Sequence, residues 1–151
     1  MNEDFIDLLQ ALLEAGTRFL VVGAHSMAVH GVPRATGDLD VWIPPEQENA
    51  ERAWQALRKF GAPVEGLGVS QSDLESPDTV VQIGLPPRRI DLLTTVTGLD
   101  FETAWTNRTM HRVGSLEIPF LGREDLIRNK RALGRAKDRA DLEILEQKPQ
   151  P

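Results

Sequence analysis

Apolar residues recur at Phe5, Leu8, Leu9, Leu12 and Leu13, the period of an amphipathic helix that stops at Gly16. Arg18 to Val22 then reads as a strand, and Ala24 to His30 as a short helix ended by Gly31. Pro33 lacks a backbone N–H and biases Val32 away from helix, so Val32 to Gly37 is a loop. It feeds the run Asp38-Leu39-Asp40-Val41-Trp42-Ile43, whose alternation of polar and apolar positions is that of a strand with Asp38 and Asp40 on one face. Pro44-Pro45 ends this strand, and Glu46 to Phe60 is a helix with Ala50, Ala53, Trp54, Leu57 and Phe60 on its inner side.

From Gly61 to Asp78 no period is sustained and Gly, Ser, Asp and Pro are frequent, which predicts a long, mobile loop. Thr79 to Leu85 and Arg88 to Thr95 are two strands whose Pro86-Pro87 connection allows only a hairpin or tight corner. A helical turn over Phe101 to Trp105 precedes a strand pair, Thr109 to Phe120, that turns at Gly114-Ser115. Two helices close the chain, Glu124 to Leu133 and Asp138 to Glu146, separated near Gly134. The expectation is one α/β (α+β) domain over residues 1–146, a mixed sheet flanked by helices, with a loose tail over 147–151.

Length and composition narrow the function. A chain of 151 residues has room for one core and not for a catalytic domain plus a large acceptor-binding domain. The absence of cysteine rules out disulfides and thiolate metal sites and fits a cytoplasmic protein. No apolar run reaches a membrane-spanning length, and Met1-Asn2-Glu3-Asp4 is unlike a signal peptide, so no membrane is expected as a partner. A net charge of −6 argues against a surface that clamps nucleic acid all over, and no DNA-groove reader is expected. The charge is uneven: Arg123 to Arg139 carries seven basic residues against three acids, a local +4 that leaves −10 elsewhere. That stretch is either a phosphate-meeting patch or a solvated basic helix face.

The chemistry lies in three acids. Asp38 and Asp40 share a face and repel each other, and Asp91 is a lone carboxylate in the apolar run Ile90-Asp91-Leu92-Leu93. Such an acid is costly unless paired or bound to a cation. If the two strands are neighbours, the three carboxylates converge at one edge and can hold two Mg²⁺ ions about 3.5–4 Å apart, the arrangement that serves in-line phosphoryl transfer.

The order of glycine turn, D-x-D on a strand and a third Asp on a later strand resembles the polymerase-beta superfamily of nucleotidyltransferases, particularly its single-domain bacterial members. The string His30-Gly31-Val32-Pro33-Arg34-Ala35-Thr36-Gly37-Asp38-Leu39-Asp40 is similar to the segment that marks small nucleotidyltransferase-like proteins and type IV toxin-antitoxin nucleotidyltransferases. The resemblance spans residues 18 to 145 and implies a polymerase-beta palm-like fold, two Mg²⁺ ions (Mn²⁺ in substitution) on Asp38, Asp40 and Asp91, and an NTP such as ATP. The chain departs from it at the turn, where Gly23-Ala24 stands in place of Gly-Gly or Gly-Ser. Gly23 lets backbone approach a triphosphate, and the helix N-terminus at Ala24 offers free N–H groups. Either Ser26 supplies the hydroxyl that Ala24 lacks or nothing does, and His25 beside the turn is either a phosphate contact or a structural histidine.

Arg34 and Thr36 lie in the loop before the acids. Arg34 is either a triphosphate ligand or the partner of an acid that shapes the loop; Thr36 is better suited to satisfying loop backbone groups. Lys130 and Lys137, seven apart, complete the nucleotide-binding candidates, since a lysine followed by an aspartate marks the closing helices of the resembling toxins. Asp138 reads best as N-cap of the last helix, with Asp141 at its third position. His25 and His30, about 140° apart on a helix, do not share a metal. Trp42, Trp54 and Trp105 occupy core-like positions, and without tyrosine there is no base-stacking platform.

Two classes of function follow. The favoured one is transfer of a nucleotide monophosphate from an NTP to a hydroxyl of a structured RNA such as a tRNA end, a protein or a small molecule, with release of pyrophosphate. The alternative is an inactive binding module of the same fold acting with a cognate partner protein, as in a toxin-antitoxin pair. A metal-dependent hydrolase on the same carboxylates lacks any supporting histidine cluster.

Overall fold

The computed structural model describes residues 1–147. Its strands are β1 (Leu20–Val22), β2 (Asp38–Trp42), β3 (Val80–Ile83), β4 (Arg89–Leu93), β5 (Thr109–Val113) and β6 (Leu116–Phe120), and its helices are α1 (Glu3–Glu14), α2 (Gly23–Val29), α3 (Gln47–Phe60), α4 (Phe101–Thr106), α5 (Arg123–Leu133) and α6 (Ala136–Gln147). The strands form one mixed sheet in the order β3-β4-β2-β1-β6-β5. β2 runs parallel to β4 and antiparallel to β1, while β3–β4 and β5–β6 are antiparallel hairpins.

Alternation divides the sheet into two unlike faces. Leu39, Val41, Ile90 and Leu92 turn to one side and are sealed by Phe5, Leu8 and Leu12 of α1 and by Ala50, Ala53 and Leu57 of α3. Complete burial of one such leucine or isoleucine contributes about 1.5–3 kcal/mol. Leu20, Val22 and Trp42 turn to the other side, where they meet Phe101 of α4, Leu126 and Ile127 of α5 and Leu145 of α6. That second core covers only part of its face. The remainder, around Asp38, Asp40 and Asp91, is left to polar groups.

Three expectations need correction. Residues 61–78 are not a loose loop: a 3₁₀ turn over Gln71–Glu75 is closed by a capping box between Ser70 and Asp73, and Val64 and Leu74 are buried in the first core. The last helix begins at Ala136, so Asp138 is not its N-cap; from the third helical position its carboxylate accepts the Arg135 backbone N–H at 3.2 Å. α2 begins at Gly23 itself, with Val22 as N-cap. The expected tail lies outside the described residues apart from Gln147, which ends α6. No helix among the described residues is long and apolar enough to cross a membrane.

Candidate functional site

The register of three strands assembles the site. β2 and β4 set Asp40 beside Asp91 and Asp38 beside Arg89, and β1 sets Val22 beside Asp40. Lateral partners in a sheet point to the same face, so the three carboxylates and Arg89 project together. A one-residue slip of β4 would have sent Asp91 into the opposite core.

Asp40 and Asp91 are lateral partners in the β2–β4 register, so their carboxyl groups are neighbours on one face. Burial, reinforced by repulsion from Asp91 and Asp38, pushes the Asp40 pKa up to about 6. Burial also raises Asp91, against the pull of the Arg89 guanidinium. Gly23 closes the site from the β1 side with φ +69°, and a Cβ there would lie 2.2 Å from Asp40 Oδ2.

These groups form one wall of a cleft of about 580 Å³. Met27, Leu93, Val96 and Leu133 supply an apolar wall; Arg34, Lys130, Arg135 and Lys137 supply a basic one. Of the nucleotide-binding candidates, Gly23, Ala24, Arg34, Thr36, Lys130 and Lys137 border the cleft and His25 and Ser26 do not. Ser26 is buried, and its Oγ donates to the Gly23 carbonyl at 2.7 Å. It therefore does not replace the hydroxyl that Ala24 lacks. His25 packs edge-on against Phe5 at 5.7 Å, and burial depresses its pKa.

The loop and the closing helices are tied by charge. Arg34 Nη2 donates to Asp141 Oδ1 at 2.5 Å, and Thr36 Oγ1 accepts from the Asp38 backbone N–H at 3.1 Å, so both residues shape the loop. Lys130 lies 3.4 Å from Asp138 and 3.0 Å from Asp141, two acids that are buried. The hydrogen bond from Arg135 pulls the Asp138 pKa down to about 2. Such a depressed acid stabilises the fold above its ordinary pKa near 4, and that contribution is lost as pH falls through about 2. Much of the basic stretch is spent in this way: Arg128 pairs with Asp125, Arg131 with Glu146, and Arg123 with Glu124. Lys137 has no ion-pair partner among the described residues. Replacing Lys130 with alanine is expected to lower stability by about 3 kcal/mol in urea denaturation at pH 7, because buried carboxylates lose a counter-charge.

Sequence reasoning passed over Arg89. Its Nη2 donates to Asp38 Oδ2 at 2.8 Å and its Nε lies 3.3 Å from Asp91 Oδ1. The signal was available, since a residue two before Asp91 in a strand must share its face.

The donor set suits a divalent cation. Asp38 Oδ1 and Asp91 Oδ1 are buried with no hydrogen-bond partner, hard oxygens whose charge is only partly met. Among the described residues, no three acidic or histidine side chains form a ready-made cage; the Arg89 guanidinium lies between Asp38 and Asp91. Mg²⁺ is commonly held by one or two carboxylates plus substrate phosphates, so the residues fit an ion that arrives with a nucleotide.

No curated protein matches the chain significantly. Among solved structures, the chain resembles a Thermotoga maritima protein described as a candidate nucleotidyltransferase, with TM-score 0.60, 16% identity and coverage of 95% of this chain and 93% of that one. At that identity the likeness shows the fold, a nucleotidyltransferase fold built on the six-stranded mixed sheet. The family model described as "Nucleotidyl transferase of unknown function (DUF2204)" matches residues 1–150, and the chain belongs to that family.

Proposed function

We propose that this protein is a divalent-metal-dependent nucleotidyltransferase that moves a nucleotide monophosphate from an NTP to a hydroxyl acceptor. Its main support is the pairing of Asp40 with Asp91, with Asp38 on the same face, beside a glycine whose missing side chain leaves room for the Asp40 carboxylate. Asp38, Asp40 and Asp91 would hold the metal. Bound there, two divalent ions supply charge neutralisation for the attacking and leaving oxygens of an in-line displacement. The acceptor oxygen would form a bond to the α-phosphorus while the bond to pyrophosphate breaks, and Asp91 would receive the hydroxyl proton. Lys130, Lys137 and Arg34 line the cleft where the triphosphate charge is met. Leu93, Val96 and Leu133 offer the nucleoside an apolar wall.

Protons compete with metal for Asp40. Because its folded pKa is raised to about 6, Mg²⁺-dependent NTP binding is expected to be strong above that pH and to weaken steadily below it. Calorimetric titrations from pH 5 to pH 8 read this directly, and a pH-independent affinity would remove Asp40 from the ligand set.

The function itself is tested by titrating each of the four NTPs with Mg²⁺, then supplying α-phosphate-labelled NTP with total RNA and cell lysate. Label in RNA, protein or a small molecule identifies the acceptor class. Failure of every NTP to bind with Mg²⁺ sinks the proposal. The second reading, an inactive module serving a partner in a toxin-antitoxin-like pair, draws on Arg89 lying between Asp38 and Asp91. It expects NTP binding without label transfer.

A further inference from the structure

Arg89 belongs to neither core and serves no helix cap. It sits opposite Asp38 in the β2–β4 register and two residues before Asp91, so one guanidinium reaches carboxylates on two different strands. The fit is loose. Only the contact to Asp38 is a hydrogen bond, while Arg89 Nε and the nearest oxygen of Asp91 are both buried without hydrogen-bond partners. A rigid planar donor fork does not satisfy carboxylates on two different strands in the way a spherical ion can. Its side chain is 31% exposed and borders the cleft, so it is free to leave.

We propose that Arg89 is a resident counter-cation that withholds the aspartates from divalent metal until a nucleotide supplies an anion for the guanidinium, which makes metal and NTP binding interdependent. This rests on the metal–nucleotide reading above. An ion entering the cleft alone must displace Arg89 from its carboxylates and then face an unpaired guanidinium nearby, two unfavourable changes set against its new bonds to the carboxylates. When a triphosphate is present, the displaced guanidinium gains phosphate oxygens, for which its fork geometry is well suited. Linkage then requires that metal strengthen NTP binding by the same factor by which NTP strengthens metal binding. Arg89 would thus order the assembly of the site as well as neutralise it.

The test uses Mn²⁺ as probe and counts free ion by electron paramagnetic resonance, first without nucleotide and then with a non-hydrolysable NTP analogue. Arg89→Met keeps the aliphatic stem and removes the charge. It is expected to bind Mn²⁺ alone about tenfold more tightly than wild type, and to gain much less from the analogue. Arg89→Gln, which keeps a donor for Asp38, carries the same expectation and covers the case in which the methionine variant does not fold. Arg89→Lys, retaining the charge, should stay near wild type, and adding Asp40→Asn to Arg89→Met should erase the gain. Equal Mn²⁺ affinity of wild type and Arg89→Met without nucleotide overturns the proposal while leaving the carboxylates as metal ligands. Equal enhancement by the analogue in the two proteins also overturns it. If no variant binds Mn²⁺ even with the analogue, the metal–nucleotide reading fails and Arg89 loses its role with it.

Discussion

Asp40→Asn is expected to abolish Mg²⁺-dependent NTP binding and, at pH 8, to leave the protein at least as stable as wild type. Asparagine has the shape of aspartate but neither its charge nor its affinity for a hard cation, so the proposed central ligand is removed without a cavity. The stability side follows from the raised pKa. An acid whose folded pKa lies near 6 and whose ordinary value lies near 4 favours the fold when protonated. That contribution is present below about pH 4 and is lost as pH rises to about 6, beyond which the ionised group repels Asp38 and Asp91. The variant escapes this repulsion. A gain of about 1 kcal/mol would move the melting midpoint by roughly 3 °C in a domain of this size. The gain should shrink at pH 5, where wild type carries the proton. Circular dichroism melts at the two pH values and one calorimetric titration measure all of it. A variant that binds Mg-NTP as well as wild type places the site elsewhere.

Gly23→Ala is expected to reduce NTP binding by at least about tenfold and stability by about 2 kcal/mol. Two causes add. The left-handed backbone at φ +69° costs an alanine about 1–2 kcal/mol. The new methyl would also stand 2.2 Å from Asp40 Oδ2, 3.1 Å from its Cγ and 3.2 Å from its Cβ, so rotating the carboxylate alone does not clear it. Gly114→Ala separates the two causes, because Gly114 has φ +62° and nothing within 4 Å of a built Cβ. It should show the backbone cost and leave nucleotide binding intact. Normal binding by Gly23→Ala would mean that Asp40 does not act from its present position.

Much of this site was legible because strands write their faces into alternate residues. Asp38, Asp40 and Asp91 stand out as acids among Leu39, Val41, Ile90 and Leu92, and the same period gives the sheet its two faces. Arg89 obeyed that period and was passed over, since an arginine at the start of a strand is an ordinary surface residue until its neighbour on β2 is known. Direction within the short helix α2 was not legible: Ser26 turns inward and spends its hydroxyl on the Gly23 carbonyl one turn back. Residues 61–78 look unstructured because a 3₁₀ turn held by one capping box, with Val64 and Leu74 buried ten residues apart, leaves no repeat to detect. The Lys130–Asp141 contact crosses the break at Gly134, so helical spacing could not report it.

The parallel pairing of β2 with β4 also governs when the site comes into being. Asp38 and Arg89, lateral neighbours, are 51 positions apart in the chain, whereas the β3–β4 and β5–β6 hairpins close locally. Long loops are slow to close, so the hairpins are expected to form before the carboxylate cluster. A chain still folding therefore carries the three aspartates as separated, solvated acids with no common ligand. NTP and metal bound in the proposed way would recognise the finished molecule alone, and the melting temperature is then expected to rise with ligand concentration as a measure of their affinity.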